Sequence, residues 1–272
     1  MKAPLRRLRG DYRTLTAPFR ALPSALIIGA QKAGTTSLFN YLVRHPDVLP
    51  PRGKEIHYFD LHYDRGVRWY RGRFPYEYRL RGGALTLDAS PYYMVHPLAP
   101  ERAARLLPDA KLVALLRNPV DRAFSHFQHE VRGGRETLSF DEAIEKETER
   151  LAGEEVRLGA DPGYYSFNHH RYSYVRRGQY VDQLRRWVEH FPRSRLLVLQ
   201  SEWLFRDPAA ATGAVQEFLG LSRHREGTYR PFLQGKYDRE MAPGVRQRLV
   251  THFEPYNREL YRWLGDEFDW SA

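Results

Sequence analysis

The sequence predicts an α/β domain built on a mostly parallel sheet, and three observations carry that expectation. Short apolar runs such as Ala25–Ile28, Leu112–Leu116 and Leu196–Leu199 are the pattern of strands buried on both faces. Segments of helical period stand between them. The two kinds of segment alternate along the chain, and alternation of this kind sets consecutive strands parallel.

Taken in order, Ala25-Leu26-Ile27-Ile28 is a first strand that stops at Gly29. Thr35–Arg44 follows as a helix, with Leu38, Phe39, Leu42 and Val43 on one face and Pro46 preventing continuation. Ala84–Leu87 is a second strand, ending in Asp88, and Ala99–Leu107 a helix closed by Pro108. Lys111–Leu116 is the clearest strand. Asn118 then caps a helix whose first residue is Pro119. Ser139-Phe140-Asp141-Glu142 is a capping box that opens a charged helix to about Leu151. Gly159–Arg177 has no period and is crowded with Tyr, His and Asn. Gly178–Phe191 is a helix, Leu196–Leu199 a strand, and Asp207-Pro208 starts a helix to Leu219. The tail reads as two helices, one on each side of Pro255.

The chain has 272 residues, enough for one large domain with a real core. The absence of cysteine excludes a disulfide framework, a thiolate metal site and a Cys nucleophile together. Lys+Arg 43 against Asp+Glu 33 leaves a net charge of +10, which points to an anionic partner or simply to a well-solvated surface. No apolar run approaches the about 18 residues of a membrane span. Residues 1–24 are basic and lack a signal-peptide core, so they are expected to form a mobile tail with at most a weak attraction to anionic membrane surfaces; residues 25–272 form one domain. A cytoplasmic location follows as an expectation, and the excess of arginine over lysine suggests a bacterial, GC-rich source.

Parallel sheets bind ligands at the carboxyl ends of their strands. After the first strand comes Gly29-Ala30-Gln31-Lys32-Ala33-Gly34-Thr35-Thr36-Ser37, a glycine-containing loop that runs straight into a helix. Free N–H groups at a helix start, the positive end of its dipole, a lysine and three hydroxyls make a cradle for an anion. The lysine sits two residues before Gly34, so this is not the Gly-Lys-Ser/Thr ending of a Walker A loop. The third strand ends in Arg117-Asn118, where an arginine suggests a second anion bound without metal; Asp88 leaves a Walker B carboxylate open.

Ile28–Leu38 resembles the 5′-phosphosulfate loop of sulfotransferases that use 3′-phosphoadenosine 5′-phosphosulfate (PAPS), and Leu116–Ser125 is similar to their 3′-phosphate motif, an Arg followed eight residues later by a Ser. Lys54-Glu55-Ile56-His57-Tyr58-Phe59-Asp60 resembles the catalytic segment of the heparan sulfate-type enzymes, the N-deacetylase/N-sulfotransferase and 3-O-sulfotransferase kinds. The resemblance spans roughly residues 25–270 and implies a P-loop-like three-layer fold in one sulfotransferase domain. Two departures stand out. Asp88-Ala89-Ser90-Pro91-Tyr92 lacks the lysine that the heparan enzymes carry there, and the late nucleotide loop is represented only by Gly235-Lys236 and Arg239.

The resemblance implies in-line sulfuryl transfer from PAPS, without metal, to a hydroxyl or amine of a small-molecule or glycan acceptor, with no nucleic-acid partner. Lys32, Ala33, Gly34, Thr35, Thr36, Ser37, Arg117, Ser125, Lys236 and Arg239 would hold the nucleotide. Lys32 would stabilise the leaving group and Glu55 would be the base. His57, placed on the same side as Glu55 if the segment is extended, would orient the acceptor or share the proton. Asp60, Asp88 and Tyr172 are further candidates for acceptor contact, Asp88 also a weaker base, and two aromatic clusters, Tyr58–Tyr78 and Tyr164–Tyr174, suit a sugar ring. The competing readings are a P-loop kinase and a non-enzymatic polyanion binder.

Overall fold

The computed structural model describes residues 12–225, 227–230 and 240–270. Its centre is a parallel sheet of β1 (Ala25–Gly29), β2 (Leu87–Ala89), β3 (Lys111–Leu116) and β4 (Leu196–Gln200), in the order β2-β1-β3-β4. β1 is buried along its whole length and β3 everywhere but Lys111, which is why neither shows alternation in sequence. The chain leaves β1 first to one side and then to the other, so the crevice between β2 and β3 opens at the carboxyl end of β1.

Helices cover both faces: α1 (Thr35–Leu42), α2 (Ala99–Leu106), α3 (Pro119–Arg132), α4 (Tyr180–Val188), α5 (Ser201–Arg206), α6 (Pro208–Leu219) and α7 (Pro243–Leu264), with shorter ones between them. The three-layer P-loop-like arrangement expected from the sequence is the one found. Asn118 caps α3 by accepting from the N–H of Val120 at 3.0 Å, and the Ser139 capping box is complete. A second cluster of buried residues, including Phe124, Phe127, Phe140, Tyr174 and Phe253, packs α3 against α7 and Phe140–Glu145.

Several expectations need correction. α7 is one helix that continues through Pro255. Proline there removes one hydrogen bond, but Val245, Leu249, Phe253 and Leu260 keep one buried face on both sides of it, and that burial prevails. The helix opened by Ser139 breaks at Lys146 into Phe140–Glu145 and Glu147–Leu151, because buried Glu147 turns inward to accept from the N–H groups of Val175 and Arg176, each at 2.7 Å. β2 begins later than expected, so Asp88 lies inside it. Residues 12–24 are not a free tail. Arg20 is buried, donates to the Phe74 carbonyl at 2.9 Å and stacks on Tyr76.

Candidate active site

The four strand ends converge on the loop after β1. Gly29 lies so close to the segment after β2 that a Cβ there would stand 2.5 Å from the Met94 sulfur. Gly34 takes the left-handed conformation (φ 88°) that starts α1, and no side chain caps that helix. The N–H groups of a helix that starts on a glycine in this way are of the kind that receive an anion. Directly after β4, Ser201 Oγ donates to the Ala33 carbonyl at 2.6 Å; directly after β3, Arg117 Nη1 donates to the Lys32 carbonyl at 3.3 Å. The two anion motifs, 85 residues apart, are thus joined directly.

Lys32 is half-buried, and burial followed by the fields of Arg132 and Arg117 lowers its pKa to about 8; Glu130 and Glu55 act in the opposite sense. The cradle is positive before any ligand arrives and fits an anion in its charge, donors and backbone. Thr35 is buried at the helix start, whereas Ser37 is buried with its hydroxyl bonded to that of Tyr41. Ser125 is buried on α3. Arg117 is held from behind: its carbonyl accepts from Tyr180 OH at 2.8 Å, and Glu202 accepts from the Asn118 N–H at 2.9 Å and from the Trp270 indole at 3.2 Å.

The segment 54–61 is pinned to the end of β2 by Asp88. This carboxylate is fully buried, burial raises its pKa, and it accepts from three hydroxyls: Tyr93 at 2.8 Å, Ser90 at 2.9 Å and Tyr70 at 3.0 Å. Two of these hydroxyls in turn accept backbone N–H groups of the segment, Ser90 from His57 at 3.0 Å and Tyr93 from Tyr58 at 2.8 Å. Asp88 is therefore a strut behind the site, out of reach of an acceptor, and not a base on its surface. Its carboxylate is already spent on protein donors.

Glu55 and His57 do meet, by a different route from the extended segment expected. Both have positive φ, 60° and 55°, so the chain coils and brings Glu55 Oε2 to 3.9 Å from His57 Nε2. His57 Nδ1 lies 2.9 Å from buried Asp60, and Lys54 Nζ lies 2.6 Å from Glu55 Oε1. The interaction with His57, then that with Lys54, outweighs burial and holds the Glu55 carboxyl down at about 2. Burial works against charge on His57, yet Asp60 and Glu55 overcome it and lift the ring to about 10. At neutral pH Glu55 is therefore a carboxylate and His57 an imidazolium. His57 is accordingly a donor here, and the expectation that it shares the acceptor's proton does not fit its charge state.

Tyr172 stands apart from these residues. Its hydroxyl donates to the Arg135 carbonyl at 2.6 Å and its ring lies under Arg150, because the stretch around it packs on α3. From the same aromatic cluster it is His170 that faces His57, with ring centroids 6.1 Å apart, and His170 packs on Tyr92. Lys236 and Arg239 lie outside the described residues. Sequence reasoning missed Arg177, whose buried guanidinium donates to the Gln31 side chain beside Lys32, to Ser173 and to the carbonyls of His169 and His170. The one available signal was a basic pair closing an aperiodic stretch. Among the described residues there is no group of three His, Asp or Glu that could hold a metal ion, and no helix long and apolar enough to cross a membrane.

A doubly wound parallel sheet, an uncapped helix start with a lysine, and an arginine tied to the same loop define a P-loop-like enzyme for a nucleotide with two anionic groups. Residues 22–236 match the family described as Sulfotransferase domain, and the chain belongs to that family, whose members take the sulfuryl group from PAPS. It is similar to mouse heparan sulfate glucosamine 3-O-sulfotransferase 6, 36% identical over 274 residues that cover 92% of this chain and 74% of the relative. It is also similar to human heparan sulfate glucosamine 3-O-sulfotransferase 3A1, 31% identical over 93% of this chain and 63% of the relative. Among solved structures, a sulfotransferase from Alicyclobacillus acidocaldarius superposes with a TM-score of 0.69 at 32% identity, covering 93% of this chain and 100% of that one. The protein is a PAPS-dependent sulfotransferase.

Proposed function

We propose that this sulfotransferase moves the sulfuryl group of PAPS to a hydroxyl of a glucosamine-containing saccharide, with Glu55 as base and Lys32 as the charge that stabilises the departing nucleotide. The observation that carries this reading is the placement of Glu55. It is half-exposed, ionised, braced by His57 and Asp60, and close enough to Lys32 for its charge to bear on the lysine. The acceptor hydroxyl gives its proton to Glu55 as its oxygen forms a bond to sulfur. The bond from sulfur to the 5′-phosphate oxygen breaks, and the electron pair leaves on that phosphate, opposite Lys32 and the N–H groups at the start of α1.

Glu55 is a weak base while Lys54 and His57 hold it. Taking the proton requires Lys54 to release Oε1, which raises the carboxyl toward its ordinary range. Arg117 and Ser125 bind the 3′-phosphate in this reading, with Thr35 and Thr36 completing the 5′ cradle. The names of the relatives support a glucosamine acceptor. A cytoplasmic location and metal-free action belong to the same proposal.

The test is transfer of labelled sulfate from PAPS to a panel of glucosamine oligosaccharides, simple phenols and aliphatic alcohols, with the product mapped by mass spectrometry. O-sulfation of the saccharide in preference to the others is expected. Turnover confined to phenols or lipids would overturn the acceptor assignment.

A further inference from the structure

Arg177 joins the donor loop to the part of the site behind His57. Its guanidinium is buried, and burial lowers its pKa only to about 10, so it is charged at neutral pH. Nε donates to Ser173 Oγ at 2.7 Å, and Nη2 donates to the carbonyls of His169 at 3.0 Å and His170 at 2.8 Å. These three bonds close the end of the short helix Phe167–Arg171, where a cation suits the last carbonyls. The fourth bond leaves that segment. Nη1 donates to Oε1 of Gln31, which is 146 residues away in the chain and next to Lys32. The Tyr92 ring completes the surroundings, its centroid 4.8 Å from the guanidinium carbon.

Each end of this link holds a different part of the site. At the donor loop, Arg117 holds the Lys32 carbonyl and Arg177 holds the Gln31 side chain, so two neighbouring residues are fastened from two separate elements. A guanidinium can only donate, so it also fixes which end of the Gln31 amide faces it. At the other end, the segment that Arg177 closes carries His170. That ring faces His57 at 6.1 Å and packs on Tyr92 at 4.4 Å, and Tyr92 OH lies 2.7 Å from His169 Nδ1. After burial, Arg177 is the largest influence lowering His170 to about 2, which leaves a neutral ring beside the His57 imidazolium. Ser173 and the two carbonyls serve the local fold of 169–177. The bond to Gln31 serves the donor loop.

We propose that Arg177 is a positioning residue for sulfuryl transfer: through Gln31 it keeps the donor loop in register with Tyr92 and His170 behind His57, so that filling the donor site orders that region. The proposal rests on the reading of Glu55 and His57 as the reaction centre and deepens it. Arg177 acts through Gln31 and His170, without touching either substrate.

The first experiment is amide hydrogen exchange read by mass spectrometry, with 3′-phosphoadenosine 5′-phosphate at about 100 times its Kd as the probe. In the wild type the nucleotide should slow exchange about tenfold or more both in residues 29–36 and in residues 167–174. Gln31→Met keeps the length of the side chain, removes the acceptor and leaves the local bonds of Arg177 in place. It should retain the protection of 29–36 and lose that of 167–174. No saccharide is present, so this result is independent of the roles given to Glu55 and the acceptor. The second experiment is single-turnover transfer of labelled sulfate to the acceptor that the panel above selects. Gln31→Met should slow transfer about tenfold, with nucleotide affinity and melting temperature close to wild type. Arg177→Lys keeps the charge and loses the fork, and the double variant should be no slower than Arg177→Lys alone, because both changes cut the same bond. Protection of 167–174 that is missing from the wild type or survives Gln31→Met, wild-type transfer by Gln31→Met, or losses that simply add would each overturn the proposal. Normal transfer by Glu55→Gln would overturn the reading of the reaction centre while the loss of protection in Gln31→Met still supported the link.

Discussion

Lys32 carries two demands that conflict in the free protein and agree in the complex. Its ammonium is half-buried beside Arg117 and Arg132, which lowers its pKa to about 8. A bound phosphate removes that penalty and returns the lysine toward its ordinary value near 10.5. The sign is definite: between about pH 8 and 10, binding of 3′-phosphoadenosine 5′-phosphate should take up a proton, and below about pH 7 this lysine should contribute none. Titration calorimetry in buffers of different ionisation enthalpy reads that uptake directly. Proton release by Lys32, or an uptake that survives Lys32→Ala, would contradict the assignment. Selection of the donor over common adenine nucleotides rests on Arg117 and Ser125. Each charged hydrogen bond contributes roughly 1.5–3 kcal/mol, so Arg117→Ala with Ser125→Ala should weaken 3′-phosphoadenosine 5′-phosphate at least about a hundredfold. AMP, which lacks the 3′-phosphate, should bind as weakly as before; a parallel loss for both nucleotides would mean damage to the shared 5′ cradle instead.

At the scale of elements, the catalytic segment is a loop made rigid by a neighbouring strand. Asp88 collects three hydroxyls, and through Ser90 and Tyr93 it fixes the backbone of His57 and Tyr58. Asp88→Asn keeps the volume but leaves one hydroxyl facing an amide N–H. It should cost about 1–3 kcal/mol, a fall in Tm of roughly 2–4 °C per kcal/mol, and should lower kcat far more than nucleotide affinity. A variant with full turnover would show that the loop does not depend on this strut. Much of this level was legible in advance. Apart from β2, apolar runs ended within one residue of the strand ends, Asn118 and Asp207 announced the helices they cap, and the Ser139 box was read from four residues. What sequence could not reveal were contacts made across long separations. Asp88 at a strand end reads as an acceptor contact or a weaker base until Tyr70 and Tyr93 are placed around it. The coil at Glu55 and His57 uses positive φ at non-glycine residues, which no local pattern signals. Pro255 shows the converse, a strong local breaker overruled by a buried face continuing on both sides of it.

Over the whole molecule, the sheet order places a positive crevice at the ends of the strands, and Asp88, the residue that a Walker B role would use, is committed to hydroxyls. The melting temperature should therefore rise equally with 3′-phosphoadenosine 5′-phosphate in EDTA or magnesium. At about 100 times its Kd a ligand adds roughly 2.7 kcal/mol, which a melting scan resolves easily. Stabilisation by ATP only with magnesium would instead indicate a kinase. The donor motifs were readable from sequence because short loops carry them.

The central claim is that one crevice binds the nucleotide through Lys32 and Arg117 while Glu55 removes the acceptor's proton. Single-turnover transfer of labelled sulfate from PAPS to the saccharide, compared between the wild type and Glu55→Gln, tests it most directly. The variant keeps the shape and loses the proton acceptor, so transfer should slow by on the order of 10²–10⁴, with affinity for 3′-phosphoadenosine 5′-phosphate within a few-fold of wild type. Near-normal transfer by Glu55→Gln, with the nucleotide bound as tightly, would contradict the account.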